Sequence, residues 1–340
     1  MLRRSVLSLA LCLAAAPALA QQTTIKFTLG WKTQGSDAFL FVARDKGYFK
    51  DEGLNVVIDQ GEGSGATITR IMSGAYDAGF GDMNAIIQNA STRKGEAPVM
   101  VYQVWNQPPF AFSSKKSAGI ATPKDLEGKK LGGAQGTPTV RMLPVFAKVN
   151  KLDMEKLNLV NMAPNLQEPL LIKGEIDAAV VFNITGYFNL ILNRQDPEKD
   201  YNWLSFGDYG LDLYSNGVMV SQKLLKENPK AVAGLVRAVN KAMMDVARDQ
   251  DVGMKATMNF DNLVNEQVEK RRLQYSFEKL IVSPEMTEIG VGDVKDDRLR
   301  KSIGMVAEGY GLARQPEVSE VFDRSFLPPK AERALVYTKK

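Results

Sequence analysis

The sequence predicts a two-lobe α/β protein with mostly parallel sheets, helices on both sheet faces and a two-strand hinge between the lobes. Two internal echoes carry that expectation. Residues 74–79 read Gly-Ala-Tyr-Asp-Ala-Gly, and residues 174–179 read Gly-Glu-Ile-Asp-Ala-Ala, 100 positions later. Upstream, Gly53-Leu54-Asn55-Val56-Val57 is answered by Lys156-Leu157-Asn158-Leu159-Val160. Each later phrase follows a helical run and enters a short apolar strand, Gly79–Gly81 or Val180–Phe182. A unit of strand, loop, helix, glycine stop and strand is therefore used twice. Alternating strands and helices favour a mostly parallel sheet covered on both faces. Two such lobes face each other across a cleft, where small molecules bind.

The elements follow in order. Ile25–Leu29 alternates like a first strand and stops at Gly30-Trp31. A helix over about 37–46 is apolar nearly all round from Ala38 to Ala43, as a helix buried between layers would be. Gly47 and Gly53 supply successive C-terminal stops before the strand Leu54–Ile58. The loop Gly61–Gly65 precedes a helix whose apolar face carries Ile68, Ile71, Met72 and Ala75. Asp82 reads as the N-cap of a helix carrying Met83, Ile86, Ile87 and Ala90. Pro98 opens the strand Val99–Val104.

The second lobe begins with the strand Phe110–Ser113 and continues through Leu131–Gly133. Gly136-Thr137-Pro138 opens a helix carrying Met142, Val145, Phe146 and Val149, and Pro144 inside that pattern predicts a kink. After the echo come the strand Trp203–Phe206 and the return crossing Gly217–Ser221. A strongly periodic helix follows Pro229, and the rest is helical with polar faces. The expected organisation is residues 21–104 as the first part of lobe 1, 105–218 as lobe 2, and 219–340 as the return to lobe 1. The hinge is expected at Val104–Pro109 and Asp208–Gly217.

The first 20 residues read as an export signal. Arg3 and Arg4 precede the apolar stretch Val6–Ala15, and Ala18-Leu19-Ala20 offers a cleavage site before Gln21. The chain's one cysteine, Cys12, lies inside that segment, and there is no histidine anywhere. The processed chain then has no thiol nucleophile, Ser-His-Asp triad, disulfide or imidazole-built zinc site. Catalysis would have to use carboxylate, lysine, tyrosine or serine–lysine chemistry. The 43 basic residues, two of them Arg3 and Arg4, nearly balance 39 acidic ones. That balance gives no bias toward nucleic acid or an anionic membrane.

The candidate ligand groups sit at strand ends and helix starts. Ser64, Gly65, Ala66 and Thr67 present free N–H groups and hydroxyls at a helix N-terminus, and Thr137, Pro138 and Thr139 do so in the second lobe. Ordinary helix capping is the plain alternative for each. Trp31 and Trp105 follow strand ends and suit stacking against a flat ligand, or packing in the core or hinge. Asp82, Asn84 and Asn183 follow the two echoed strands, where turn and cap chemistry also favours them. Gly61–Ala66 fits a dinucleotide-binding fingerprint, but it follows the second strand of the lobe, so no cofactor is expected. Glu62, Asp82 and Asp208 form no pattern that would mark a pair of catalytic acids.

Several stretches resemble a known family. These are Ala38-x₄-Ala43-Arg-Asp-Lys-Gly47-Tyr-Phe-Lys-Asp-Glu-Gly53-Leu, Gly63-Ser-Gly-Ala-Thr67, Gly74-x-Tyr-Asp-Ala and Val321-Phe-Asp-Arg-Ser-Phe-Leu-Pro. They are similar to the periplasmic solute-binding proteins of ABC importers, in the branch for nitrate, sulfonates, taurine and thiamine-pyrimidine precursors. The resemblance implies a type II two-lobe periplasmic binding protein fold and a monomer that captures a small organic solute by hinge closure. It also implies a periplasmic location and, as partners, a membrane permease and its cytoplasmic ATPase. The family's ligand loops would fall on Trp31, Ser64–Thr67, Asp82-Met83-Asn84, Thr137–Thr139 and near Asn183. A fungal relative makes the thiamine pyrimidine with histidine and cysteines, which this chain lacks after residue 20. The expectation is a binding protein, with no catalytic residue, cofactor or metal. Its ligand would place an acidic or polar group at the helix starts and a flat part against Trp31 or Trp105. The rival functions are a secreted carboxylate-dependent hydrolase and a binding module that feeds a sensor.

Overall fold

A computed structural model describes residues 22–338. The stretch read as an export signal, residues 1–20, lies outside the described residues. Among the described residues there are ten strands: β1 (Thr23–Thr28), β2 (Leu54–Asp59), β3 (Ala78–Asp82), β4 (Val99–Gln103), β5 (Phe110–Lys115), β6 (Lys130–Gly133), β7 (Asn158–Asn161), β8 (Ala178–Phe182), β9 (Tyr201–Ser205) and β10 (Asn216–Val220). They form two sheets of one design, ordered β2-β1-β3-β10-β4 and β7-β6-β8-β5-β9. In each sheet one strand runs against the others, β10 in the first and β5 in the second. These are the strands entered directly after the two crossings. Each lobe therefore completes its sheet with a strand delivered across the hinge, and the expected two-lobe, mostly parallel α/β fold is the fold observed.

The sequence echo is a structural echo. Gly74 and Gly174 both end their helices in the left-handed region, with φ of 77° and 78°. Three residues on, Asp77 accepts a hydrogen bond from the Lys26 amide (2.9 Å), and Asp177 accepts one from the Lys130 amide (2.7 Å). The amides of Asp77 and Asp177 in turn donate to the Lys26 and Lys130 carbonyls, both at 2.9 Å. The repeated Gly-x-x-Asp thus stops a helix and clasps the next strand to the start of its neighbour.

Local chemistry sets the boundaries. The first long helix, Ala38–Asp45, has Ala38 to Ala43 fully buried between the first sheet and the helices Pro229–Arg248 and Gln250–Phe260. The helix Ser64–Met72 ends one turn earlier than its apolar pattern predicts, and Ala75 is exposed beyond Gly74. The predicted kink at Pro144 is a full break, because the chain forms Pro138–Arg141 and then Leu143–Val149. Proline has no N–H to carry the first helix onward.

The C-terminal helices depart from the expected organisation. They serve both lobes. The helix Asp296–Tyr310 buries Leu299, Ile303 and Val306 between Met83–Thr92 of the first lobe and Leu143–Val149 of the second. The helix Glu266–Ser276 likewise touches both the Gly35–Asp37 turn and the second-lobe helix Asn183–Leu192. The sequence period shows that such helices have an apolar face, but not which surfaces cover it. Among the described residues, no helix is long and apolar enough to cross a membrane.

The two crossings run side by side. The amides of Val104 and Trp105 donate to the Asn216 carbonyl (3.2 and 2.8 Å), and the Ser215 amide donates to the Trp105 carbonyl (3.1 Å). Arg298 pins both: it donates to the Asn106 carbonyl on the outgoing crossing (2.9 Å) and to the Leu213 carbonyl on the return (3.2 Å).

Candidate functional site

A chamber lies between the lobes where the crossings meet the strand ends. It offers about 60 Å³ to the centre of a water-sized sphere, and it opens past Trp31 into a mouth of about 1150 Å³ on the same measure. The inner space suits a head group, since one water needs about 10–15 Å³ measured this way. The larger mouth can take the rest of a solute.

Close backbone packing sets the chamber's first-lobe wall. The loop after β2 clips onto the loop after β1, with the Gly61 amide donating to the Trp31 carbonyl and the Gly63 amide to the Gly30 carbonyl, both at 2.8 Å. A Cβ at position 61 would lie 1.9 Å from the Leu29 carbonyl oxygen, so only glycine fits. A Cβ at position 65 would lie 2.8 Å from the Gly136 carbonyl oxygen of the opposite lobe. Within the apparent dinucleotide fingerprint, Gly61 therefore serves close backbone approach in the first lobe and Gly63 a positive φ of 108°, while Gly65, at one of its variable positions, allows close approach across the cleft.

Aromatic rings form the chamber's deep wall. Trp105 is 3 % exposed and stands edge-on to Phe80 of the first lobe (5.5 Å, 85°) and to Phe182 of the second (5.9 Å, 67°). Its Nε1 finds no partner among the described residues, and neither does Oγ1 of the buried Thr139. Both residues line the chamber, so it holds an unused donor and an unused hydroxyl. Two side-chain hydrogen bonds cross between the lobes, the first of them at the chamber wall. Gln34 Nε2 donates to Thr185 Oγ1 (3.3 Å), and Arg141 Nε donates to Gln88 Oε1 (3.0 Å).

The ionisable lining is acidic. Of the twenty lining residues, only Asp37 from the first lobe and Glu168 from the second can carry charge. They are 5 % and 4 % exposed. Burial pushes the Asp37 carboxyl up to about 7 against the Gln34 amide that donates to it, and nearby Glu269 adds to the rise. Burial also pushes Glu168 up to about 7, partly offset by its own amide, Asn189 and Arg272. The buried Arg272 is already engaged: Nε donates to Glu269 (2.9 Å) and Nη1 to the Ile184 carbonyl (2.8 Å). Glu269 also accepts from the Gly35 amide at 2.7 Å.

The structure divides the residues singled out from the sequence. Trp31, Ser64, Trp105, Thr137, Pro138 and Thr139 line the chamber, whereas Gly65, Ala66, Thr67, Asp82, Met83, Asn84 and Asn183 do not. Thr67 is buried with its hydroxyl donating to the Leu29 carbonyl at 3.3 Å, and Met83 is in the core. Asp82 caps its helix by accepting from the amides of Asn84 (3.0 Å) and Ala85 (3.3 Å), and it accepts from Ser215 Oγ on the return crossing (3.0 Å). Burial raises its carboxyl to about 6. Asn84 Nδ2 donates to the Tyr214 carbonyl (2.8 Å), and the Asn183 amide donates to the Pro109 carbonyl (2.7 Å). These residues bind lobe to crossing, because the strand ends that face the cleft also carry the hinge. The chamber lined by the helix starts also carries the carboxyls of Asp37 and Glu168. Sequence reasoning missed Asp37 and Glu168, although one signal was present. Glu168 stands 100 positions after Ile68, at a place where the first repeat buries an apolar side chain.

Among the described residues there is no group of three or more His, Cys, Asp or Glu placed to hold a metal ion. The lining offers aromatic rings, hydroxyls, amides and two carboxyls, groups that can hold a solute by shape, stacking and hydrogen bonds.

Known proteins share this architecture. The chain is 23% identical over 263 residues to the formylaminopyrimidine-binding protein of Halalkalibacterium halodurans, covering 76% of this chain and 78% of that one. It is 20% identical to the 4-amino-5-hydroxymethyl-2-methylpyrimidine phosphate synthase of Schizosaccharomyces pombe, covering 74% of both. Among solved structures, the alkanesulfonate-binding protein SsuA of Xanthomonas axonopodis pv. citri, bound to MOPS, superposes with a TM-score of 0.65. That match has 14% identity and covers 90% of this chain and 99% of the other. The fold is therefore that of the two-lobe periplasmic binding proteins. Residues 35–252, more than half of the chain and all of the chamber's lining except Gly30, Trp31 and Gln34, match the family described as NMT1/THI5 like, and the chain belongs to that family.

Proposed function

We propose that this protein is the extracytoplasmic solute-binding component of an ABC importer, capturing a small organic solute between its lobes and delivering it to a membrane permease. The observation that carries this reading is the chamber itself. Both lobes contribute to it, an interlobe hydrogen bond between Gln34 and Thr185 spans its wall, and it contains two buried polar groups without protein partners. A solute that bridges the lobes stabilises the closed arrangement through its differential affinity, which is all such capture requires. The sulfonate-binding neighbour and the pyrimidine-binding relative support a transport role. The N-terminal export pattern supports a periplasmic location, and the permease and its ATPase are the implied partners. Trp31, Trp105, Thr139 and the carboxyls of Asp37 and Glu168 are the contacts we assign to the solute.

The synthase relative makes an enzyme the rival reading. The absence of histidine and cysteine after residue 20 argues against it. Calorimetric titration with candidate solutes, coupled to mass analysis of the solute after long incubation, tests the choice. Saturable binding with the solute recovered unchanged is the expected result. Conversion to another mass with turnover would establish an enzyme.

A further inference from the structure

The chamber's chemistry points to the kind of solute it takes. A solute entering the inner space meets two carboxyls, one from each lobe, and no cationic side chain among the lining residues. The nearest buried guanidinium, Arg272, lines only the mouth and is already paired with Glu269. A sulfonate or carboxylate head group finds no cationic partner beside Asp37 and Glu168, and whenever either carboxyl is ionised the two like charges repel strongly in a water-poor space. A nitrogen cation with several N–H groups does the reverse. It offers each carboxylate a charge-assisted hydrogen bond, the strong kind.

The unpartnered groups are an independent observation. Trp105 Nε1 can only donate, and Thr139 Oγ1 can donate or accept. Both are more than nine-tenths buried and line the same chamber. A solute that also presents an acceptor near its flat part, against the indole, would engage this donor as well.

We infer that the inner chamber selects a solute with a nitrogen-cation head group, an ammonium or amidinium, held between Asp37 and Glu168, and that it rejects anionic head groups. This rests on the solute-binding reading and deepens it. The residues set specificity by sign of charge: because Asp37 and Glu168 come from opposite lobes, a cation that bridges them also draws the lobes together. An anionic solute that depended on closure would be opposed by the same pair.

Three compounds built on one benzene ring test the inference: benzamidine (cation), benzamide (neutral) and benzenesulfonate (anion). Each is titrated calorimetrically into the mature chain after solute has been stripped by unfolding and refolding. Benzamidine is expected to bind tightest and benzenesulfonate not at all. Asp37→Asn and Glu168→Gln should each weaken benzamidine by about 10- to 100-fold, the usual loss for a hydrogen bond to a charged group. Circular dichroism on both variants separates that loss from misfolding. Because the amides keep the carboxyl's shape, the double variant should also lose the discrimination between benzamide and benzamidine.

Tightest binding of benzenesulfonate overturns the charge selection while leaving the solute-binding reading intact, and so does equal binding of all three. If none of the three binds, native mass spectrometry of protein purified without unfolding decides. A retained cationic solute supports the inference, a retained anionic one overturns it, and the absence of any solute contradicts both readings.

Discussion

Asp37 and Glu168 lie on opposite lobes, are each more than nine-tenths buried, and line one chamber with no other ionisable side chain in its wall. Burial keeps both carboxyls near 7, far above the ordinary range. The folded chain therefore holds protons that the unfolded chain releases, and stability depends on pH.

The sign follows from the raised values. The contribution is fully present below the unfolded pKa of about 4 and is lost as pH rises through about 7. The ligand-free protein should melt lower at pH 8 than at pH 5 by a few degrees on account of this pair. Asp82, raised to about 6 by burial, acts in the same direction, and Glu269 and Arg272 face the pair from the helix Glu266–Ser276. Carboxyls held low elsewhere, such as Glu320, act in the opposite direction. The comparison that isolates the pair is wild type against the Asp37→Asn, Glu168→Gln double variant. A smaller fall in melting temperature from pH 5 to pH 8 is expected in the variant, and an unchanged fall would mean the pair is not protonated in the folded state.

Trp105 has two separable jobs. Its ring fills the gap between Phe80 and Phe182, and its Nε1 is a donor without a protein partner. Trp105→Phe keeps much of the ring and removes the donor. It should weaken solute binding by about 0.5–1.5 kcal/mol with a small change in melting temperature. Trp105→Ala removes the ring and should destabilise by about 3–5 kcal/mol. If the phenylalanine variant binds as tightly as wild type, Nε1 does not meet the solute.

The hydroxyls at the helix starts should also separate. Ser64 Oγ accepts from the Asp82 amide (3.0 Å), and Thr137 Oγ1 donates to the Ala134 carbonyl (2.8 Å). Both are occupied within the protein, whereas Thr139 Oγ1 is unpartnered. Thr139→Val is therefore expected to cost about 1 kcal/mol of binding, and Ser64→Ala mainly stability. Calorimetric affinities beside melting curves check this. A larger loss of affinity at Ser64 than at Thr139 would reverse the assignment.

Lobe movement should be small and should depend on Arg298. The C-terminal helices touch both lobes, and Arg298 links the two crossings while pairing with Asp212 (2.7 Å) and Glu285 (3.4 Å). Arg298→Ala leaves Glu285, itself mostly buried, without that partner, so a loss of about 3–5 kcal/mol is expected. Small-angle scattering of the wild type should show a slightly smaller radius with saturating solute. An identical radius, with unchanged Trp105 fluorescence in a Trp31→Phe, Trp203→Phe background, would mean the lobes do not close.

The fold was legible because its duplication is written into the backbone. Gly74 and Gly174 must be glycine or bear strain at φ near 78°, and Asp77 and Asp177 clasp equivalent strands, so the repeat preserves them. The aromatic part of the site was legible for a related reason, since Trp31 and Trp105 follow strand ends that face the cleft. The carboxyls were not. Asp37 begins an apolar helix and looks like an N-cap, and Glu168 looks like a surface residue in a short helical run. Their meeting depends on how the two lobes face each other, which no local pattern encodes. The partners of the C-terminal helices were hidden for the same reason.

Native mass spectrometry of the protein, purified without unfolding, tests the central claim of reversible capture between the lobes most directly. The expected spectrum shows one small organic solute per chain, released at unchanged mass by denaturation and rebound on refolding, and largely absent from Trp105→Ala. A solute that emerges chemically altered after incubation would contradict the claim. So would a stripped chain that retains its fold yet binds nothing from the medium in which it was made.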